Sequence, residues 1–288
     1  WNVPGVAVAI VYGDETVLLK GFGSRDIDAN QPVTPDTLFA IGSSTKAFTA
    51  TLLGMLADEG RLTWDKPVRE QLPEFELFDK TTNDTITPLD LLTHISGLPA
   101  HDLVWAGSPL DREQLFARLK YLEPTASLRQ KWQYNNLMYM SAGMLGQHVS
   151  GKSWEQFLRE RLLDPLGMKT ANTSVSQLAQ AEDRALGYSL TAPAKAGAAR
   201  LPKAAPYVNL DAIGPCGATN ASVREMVPWL RLQLSNGTLD GKKYLDPTTF
   251  KKLHAPVAVV GEDESFPEAP YVMYAPGWFI QPYRGHKV

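Results

Sequence analysis

An α/β (α+β) fold, in which a sheet domain is interrupted by a helical subdomain, is what the order of patterns along this chain predicts. Strand-like runs open the sequence, a series of segments with helix start and stop signals fills the middle, and a strand-like run, Trp278 to Tyr283, returns near the end. A length of 288 residues with 44% hydrophobic content supports a sizeable core. We therefore expect a single domain over 1–288, with 1–50 and 215–288 as the α/β part and 51–214 as a mainly helical subdomain. No internal repeat is visible.

Val6 to Tyr12 and Thr16 to Phe22 are β-rich runs joined at Gly13-Asp14, which reads as a hairpin. From Ser44 the spacing turns helical, with Phe48, Leu52, Leu53 and Leu56 on one face and Gly60 placed to end the helix. Ser43 and Lys46 would sit on its first turn. Further helix starts occur at Thr87-Pro88-Leu89-Asp90, at Asp111 before the 113–122 run, and at Ser153-Trp154-Glu155-Gln156. Between the last two, Leu137 to Val149 is an apolar helix that Gly151 stops. Residues 191–206, rich in Ala, Pro and Lys, read as a surface loop and as the best candidate for a mobile segment. Ser222 to Glu225 forms another capping box, and Pro228 is expected to kink the helix that follows.

Composition removes several classes of function. A net charge of -3 gives no broad basic field for nucleic acid or an acidic membrane surface. The apolar run Val3 to Tyr12 is too short to span a bilayer and is broken by Pro4 and Gly5, so no membrane span is expected. Opening on Trp1 instead of Met, the chain is expected to have lost its original start, and any export signal with it. The single Cys216 excludes an internal disulfide and reads as a small buried side chain. His94, His101, His148, His254 and His286 lack paired metal spacing and read as surface or packing histidines, so we expect no metal and no cofactor. No Gly-x-Ser-x-Gly occurs, and Trp64, Trp132 and Trp154 read as core or groove wall.

Ser43-Ser44-Thr45-Lys46 puts a hydroxyl and an amine three residues apart, within mutual reach on one helix face. That is a nucleophile with its own proton acceptor, placed where helix N–H groups favour an alkoxide. The spacing alone is weak, since a Ser-x-x-Lys arises about once by chance in a chain of this length.

The flanking residues add weight. Phe39-Ala40-Ile41-Gly42-Ser43-Ser44-Thr45-Lys46 resembles the first motif, with its lead-in strand, of the penicillin-recognising serine hydrolases, in the branch of class C β-lactamases, DD-peptidases and esterases. Leu91-Leu92-Thr93-His94-Ile95-Ser96-Gly97-Leu98-Pro99 is similar to a segment typical of that branch, with Ile95 where Thr is more usual. Tyr134-Asn135-Asn136 matches the second motif, Tyr-x-Asn, and Asp164-Pro165-Leu166-Gly167-Met168 resembles a further landmark. Gly214-Pro215-Cys216-Gly217 is a looser match to a glycine-containing turn near the site. Tyr207-Val208-Asn209 also satisfies Tyr-x-Asn, but position in the chain selects Tyr134.

The resemblance implies a β-lactamase/transpeptidase-like fold, an antiparallel sheet flanked by helices with an inserted helical subdomain. It further implies that Ser43 attacks a carbonyl, that Lys46 and Tyr134 carry its proton to the leaving group, and that Asn136 binds substrate. Neutralising a lysine at pH 7 costs about 4.6 kcal/mol and ionising a tyrosine a similar amount, against the ~0.3–1 kcal/mol a helix terminus supplies. A proton shared by the pair is therefore the expectation.

The implied activity is acyl-enzyme hydrolysis of an amide or ester, with small molecules or short peptides as substrates. A carboxylesterase of the same fold and a non-catalytic binding or assembly module are the alternatives. The resemblance also implies a periplasmic or secreted location. Its third motif, a Lys or His followed by a small residue and Gly, is absent, and Gly285-His286-Lys287-Val288 resembles only the lead-in to it. A second chain, or a C-terminal segment beyond Val288, is expected to supply that motif and the missing C-terminal strands.

Overall fold

The computed structural model describes residues 2–190, 201–262 and 266–288. Gly5–Tyr12 (β1) and Glu15–Asp26 (β2) form the expected hairpin, antiparallel, with Gly13 at φ +58 in the turn. Gln31–Pro32 (β3) pairs with the end of β2, and Phe39–Ala40 (β4) leads into the first helix. That helix, Thr45–Asp58 (α1), is preceded by a 3₁₀ turn over Gly42–Ser44.

Val68–Gln71 (α2), Lys80–Thr85 (α3), Pro88–Leu92 (α4), Arg112–Phe116 (α5), Asn136–Ser150 (α6), Trp154–Leu158 (α7) and Val175–Gln180 (α8) make up the helical middle. Reciprocal capping boxes start α4 at Thr87/Asp90, α5 at Asp111/Gln114 and α7 at Ser153/Gln156, and Gly151 in the left-handed region ends α6. Gly187–Leu190 (β5) pairs with Pro202–Ala205 (β6), and Gly214–Gly217 (α9) and Asn220–Ala221 (β7) follow, β7 pairing with β4. Val223–Leu234 (α10), the hairpin Thr238–Leu239 (β8) with Lys242–Lys243 (β9), and Pro247–Leu253 (α11) lead to Ala258–Glu262 (β10). Tyr271–Ala275 (β11), Trp278–Ile280 (β12), Pro282–Tyr283 (β13) and His286–Lys287 (β14) complete the order. Helices thus pack with sheets whose named strand pairs are all antiparallel.

Helix α1 is the centre of the core. Every residue from Thr45 to Leu56 is buried, whereas the spacing of Phe48, Leu52, Leu53 and Leu56 implied one buried face. The run Ala47 to Ala57 carries no charge, and α6, α7, α9 and α11 surround it. Each fully buried large apolar side chain contributes about 1.5–3 kcal/mol, so Phe48, Leu52, Leu53 and Leu56 pin this helix firmly. Gly54 lets α11 approach, because a Cβ there would lie 3.0–3.2 Å from Leu245, Thr249 and Leu253. Phe48 stacks on Trp229 of α10 at 3.9 Å, and α10 also covers one face of β1 and β2. Side chains alternate across a strand, and Val6, Ile10, Tyr12 and Phe22 stand exposed.

Two local expectations need correction. Part of the supposed loop 191–206 is a strand: Pro202–Ala205 pairs with Gly187–Leu190, because backbone pairing does not depend on the Ala/Lys composition that suggested a loop. Residues 191–200 lie outside the described residues. The run Trp278 to Tyr283 divides at Gln281, with β12 pairing to β11 and β13 turning through Arg284-Gly285 onto β14. Helix α10 runs on through Pro228 to Leu234.

Candidate active site

Gly42, at φ +52, turns the chain out of β4, so that Ser43 lies in the 3₁₀ turn and Lys46 on the first turn of α1. Ser43 is exposed while Lys46 is completely buried one helical turn away. Tyr134 and Asn136 arrive from the other side, flanking Asn135, whose side chain accepts the Met138 N–H at 3.0 Å and caps α6. The four residues that the sequence singled out meet at one point.

Ser43 Oγ lies 2.7 Å from the Tyr134 hydroxyl and 3.1 Å from Lys46 Nζ. Lys46 also donates to Asn136 Oδ1 and to the Cys216 carbonyl, each at 2.9 Å. An ammonium has three protons, and here it meets three acceptors. None of these partners is a carboxylate. The ammonium sits instead over the rings of Tyr134, at 4.6 Å, and Tyr139, at 5.3 Å, whose π faces attract a cation by about 0.5–2 kcal/mol each. Desolvating the charge costs more than these rings return, so the carbonyl, amide and hydroxyl acceptors must be held in place.

The segment that carries the carbonyl acceptor is held by α1 itself. Thr49, one turn beyond Lys46, donates to the Pro215 carbonyl at 2.7 Å, beside the Cys216 carbonyl that Lys46 binds. Trp154 Nε1 donates to Thr49 Oγ1 at 3.0 Å, and Thr219 N–H bonds Thr45 Oγ1. Gly143 of α6 lets Pro215 come close, since a Cβ there would sit 2.2 Å from the proline ring. Arg112 braces the approach to α9 through the Asp211 and Ala212 carbonyls and Glu155.

The segment bearing Tyr134 is built on the turn after α4. Carbonyls of His94, Ile95 and Gly97 accept from the N–H groups of Gln133, Arg129 and Thr125, and Asn135 Nδ2 donates to the Pro99 carbonyl at 2.6 Å. The rings of His94, Trp132, Tyr134, Tyr139 and Tyr274 pack together behind the site. Burial raises the phenols of Tyr139 and Tyr274 well above the usual tyrosine range, so neither is a proton acceptor.

The Beta-lactamase family profile matches residues 1–287. The chain belongs to the Beta-lactamase family. The "Unguisins hydrolase ungD'" of Aspergillus campestris is 30% identical over 302 residues, covering all of this chain and 53% of that protein. Among solved structures, the octameric penicillin-binding protein homologue from Pyrococcus abyssi is 26% identical with a TM-score of 0.82, over 99% of this chain and 63% of that one. A D-stereospecific amidohydrolase from Streptomyces sp. shares the fold with a TM-score of 0.76 at 24% identity, over 99% of this chain and 81% of that one. The chain spans about half the length of the curated relatives it matches.

In this Beta-lactamase family member, Cys216 takes part through its backbone. Its thiol is buried and pushed up to about 11, which leaves it inert. Sequence patterns cannot reveal a carbonyl partner, although the glycine-containing segment around it was a signal that the backbone comes close. Asn135 and His94 were also missed as supports. The other candidate, Tyr207, donates to the Ala185 carbonyl and is not part of this cluster. Among the described residues no group of three or more His, Cys, Asp or Glu could hold a metal ion, and no helix is long and apolar enough to cross a membrane.

Proposed function

We propose that this chain is a serine hydrolase that forms an acyl-enzyme on an amide or ester substrate, with Ser43 as nucleophile. The carrying observation is that both Lys46 Nζ and the Tyr134 hydroxyl reach Ser43 Oγ within hydrogen-bond distance. The Lys46–Tyr134 pair enters the step one proton short, as ammonium and phenolate or as amine and phenol. When Oγ bonds to the carbonyl carbon, its proton therefore passes to the pair and then to the leaving amine or alcohol as the C–N or C–O bond breaks. In the second half water attacks the acyl carbon and gives a proton to the same pair, which returns it to Ser43 Oγ as the acyl C–Oγ bond breaks and the carboxylic acid leaves. Asn136 holds Lys46 and offers its amide N–H to the substrate, while the Ser43 backbone N–H is one oxyanion donor.

Peptides bearing D-residues, β-lactams and small esters are the substrate classes. The hydrolase among the relatives and the penicillin-binding protein homologue among the neighbours support this choice. The residues 1–288 act as one β-lactamase/transpeptidase-like domain, and a further segment or second chain brings a Lys/His-x-Gly opposite Ser43 together with the second oxyanion donor. The exposed side of the β1–β2 hairpin, with Val6, Ile10 and Phe22 open to solvent, supports such a completing element.

Labelling with a fluorophosphonate and with a fluorescent penicillin tests the nucleophile. Ser43→Ala abolishes both labels on this reading, and a variant that keeps either label excludes Ser43. Label by the phosphonate but not by the penicillin selects the esterase, and no label on the wild type selects a binding module.

A further inference from the structure

One buried titratable side chain close to the reacting groups has no part in the mechanism above. His94 is fully buried at φ +61 in the turn after α4. Its carbonyl accepts from the Gln133 N–H at 2.8 Å, and its Nδ1 accepts from the Asn135 N–H at 3.1 Å. One residue therefore grips the backbone immediately before and immediately after Tyr134. The imidazole also lies against the Tyr134 ring, with centroids 4.3 Å apart. Since Nδ1 accepts, the ring is neutral with its proton on Nε2, and that nitrogen has no hydrogen-bond partner among the described residues.

We propose that His94 is a positioning residue: as a neutral Nδ1 acceptor it sets the approach of the Tyr134 hydroxyl to Ser43. The inference rests on the reading of Ser43 as nucleophile. Without the acceptor, the buried Asn135 N–H loses its partner, and the backbone around Tyr134 can relieve that loss only by moving. The Tyr134 hydroxyl moves with it.

Protonation would have the same effect by another route. It would turn Nδ1 into a second donor facing the Asn135 N–H and set a second cation near Lys46. The titratable groups facing the ring are Lys46 from α1, Tyr134 from the segment before α6, Tyr139 from α6 and Tyr274 from β11, and none is a carboxylate. Burial, then the Lys46 charge, holds the imidazole well below its ordinary value of 6.5. As pH falls below about 6.5 the unfolded chain therefore takes up a proton that the native state refuses, so stability is intact above that pH and declines as the solution is acidified.

Two substitutions separate positioning from mere packing. His94→Asn puts an amide oxygen where Nδ1 was and tolerates positive φ, while His94→Gln puts its amide at the Nε2 end and leaves Asn135 without an acceptor. In the natural full-length protein, fluorophosphonate labelling of Ser43 is expected to stay within about threefold in His94→Asn and to slow about 10²-fold in His94→Gln, the scale of a misplacement near 1 Å. Imidazole ¹⁵N spectra of the wild type are expected to show the neutral Nε2–H tautomer at pH 6. Its melting temperature should fall more steeply below pH 6.5 than that of His94→Asn. His254, also held low by burial, remains in both proteins and cancels from that comparison.

Wild-type labelling rates in His94→Gln, or a proton on Nδ1, would overturn the proposal. If His94→Gln does not fold, the tautomer and the pH dependence of His94→Asn still decide. Label retained by Ser43→Ala would instead remove the nucleophile assignment, a failure distinct from this one.

Discussion

Lys46→Met is expected to slow acylation of Ser43 by about 10³–10⁴-fold while moving the unfolding midpoint by only a few degrees. Lys46 has no exposure, and its Nζ is shared between Ser43 Oγ, Asn136 Oδ1 and the Cys216 carbonyl. Methionine occupies much of the same buried space with a thioether, so packing survives while the amine that reaches Ser43 is gone. Two opposing terms keep the stability change small. Removing a buried ammonium relieves a desolvation cost of several kcal/mol, and stranding an amide oxygen and a carbonyl costs about 1–3 kcal/mol each.

Tyr134→Phe is the companion variant, since it keeps the ring 4.6 Å below the ammonium and deletes only the hydroxyl. If the two residues share one proton, the double variant is no slower than the slower single one, because lesions within one unit are not additive. Labelling rates of the three proteins measure this directly. Acylation within tenfold of wild type in Lys46→Met would end the claim that Lys46 handles the proton.

The second large effect is expected from a methyl group. Gly143→Ala should cost about 2 kcal/mol net and slow acylation about 10²-fold, although it improves helix propensity by about 1 kcal/mol. The new Cβ would lie 2.2 Å from one atom of the Pro215 ring and 2.6 Å from the next, and a closed ring cannot rotate away. Either α9 or α6 must shift, and α9 carries the Cys216 carbonyl that fixes Lys46. Gly146→Ala, on the same helix, is the control: its Cβ would meet only the Leu53 side chain, at 3.3 Å. Chemical denaturation of both variants should separate them by about 2 kcal/mol, and equal stabilities would refute the packing argument.

What could be read from the sequence was local or carried by resemblance. The hairpin at Gly13-Asp14 and the capping boxes at Thr87, Asp111 and Ser153 are decided within a few residues, and each formed where its signals stand. That Ser43, Lys46, Tyr134 and Asn136 come together was legible through the flanking motifs and their order in the chain, since the Ser-x-x-Lys spacing alone is weak. The Cys216 carbonyl was not, since every residue has a carbonyl and only the fold brings this one to Lys46. His94 was read as a packing histidine for the same reason: its hydrogen bonds run to backbone atoms of Gln133 and Asn135 some forty residues away. The strand at Pro202–Ala205 was hidden by Ala/Pro composition, which reports propensity and not the partner that Gly187–Leu190 supplies. The burial of α1 on all sides, by contrast, is signalled by its charge-free run from Ala47 to Ala57, which outweighs the one-face spacing of Phe48, Leu52, Leu53 and Leu56.

A helix with no outward side has no silent positions. Between Thr45 and Leu56 every side chain answers to a neighbour from a different part of the chain, so sequence drift there is constrained from several directions at once. Saturation mutagenesis should find an intolerant window that closes abruptly at the exposed Glu59 and Gly60. New substrate preferences would then have to evolve in loops away from this helix, while the helix behind Ser43 stays nearly frozen.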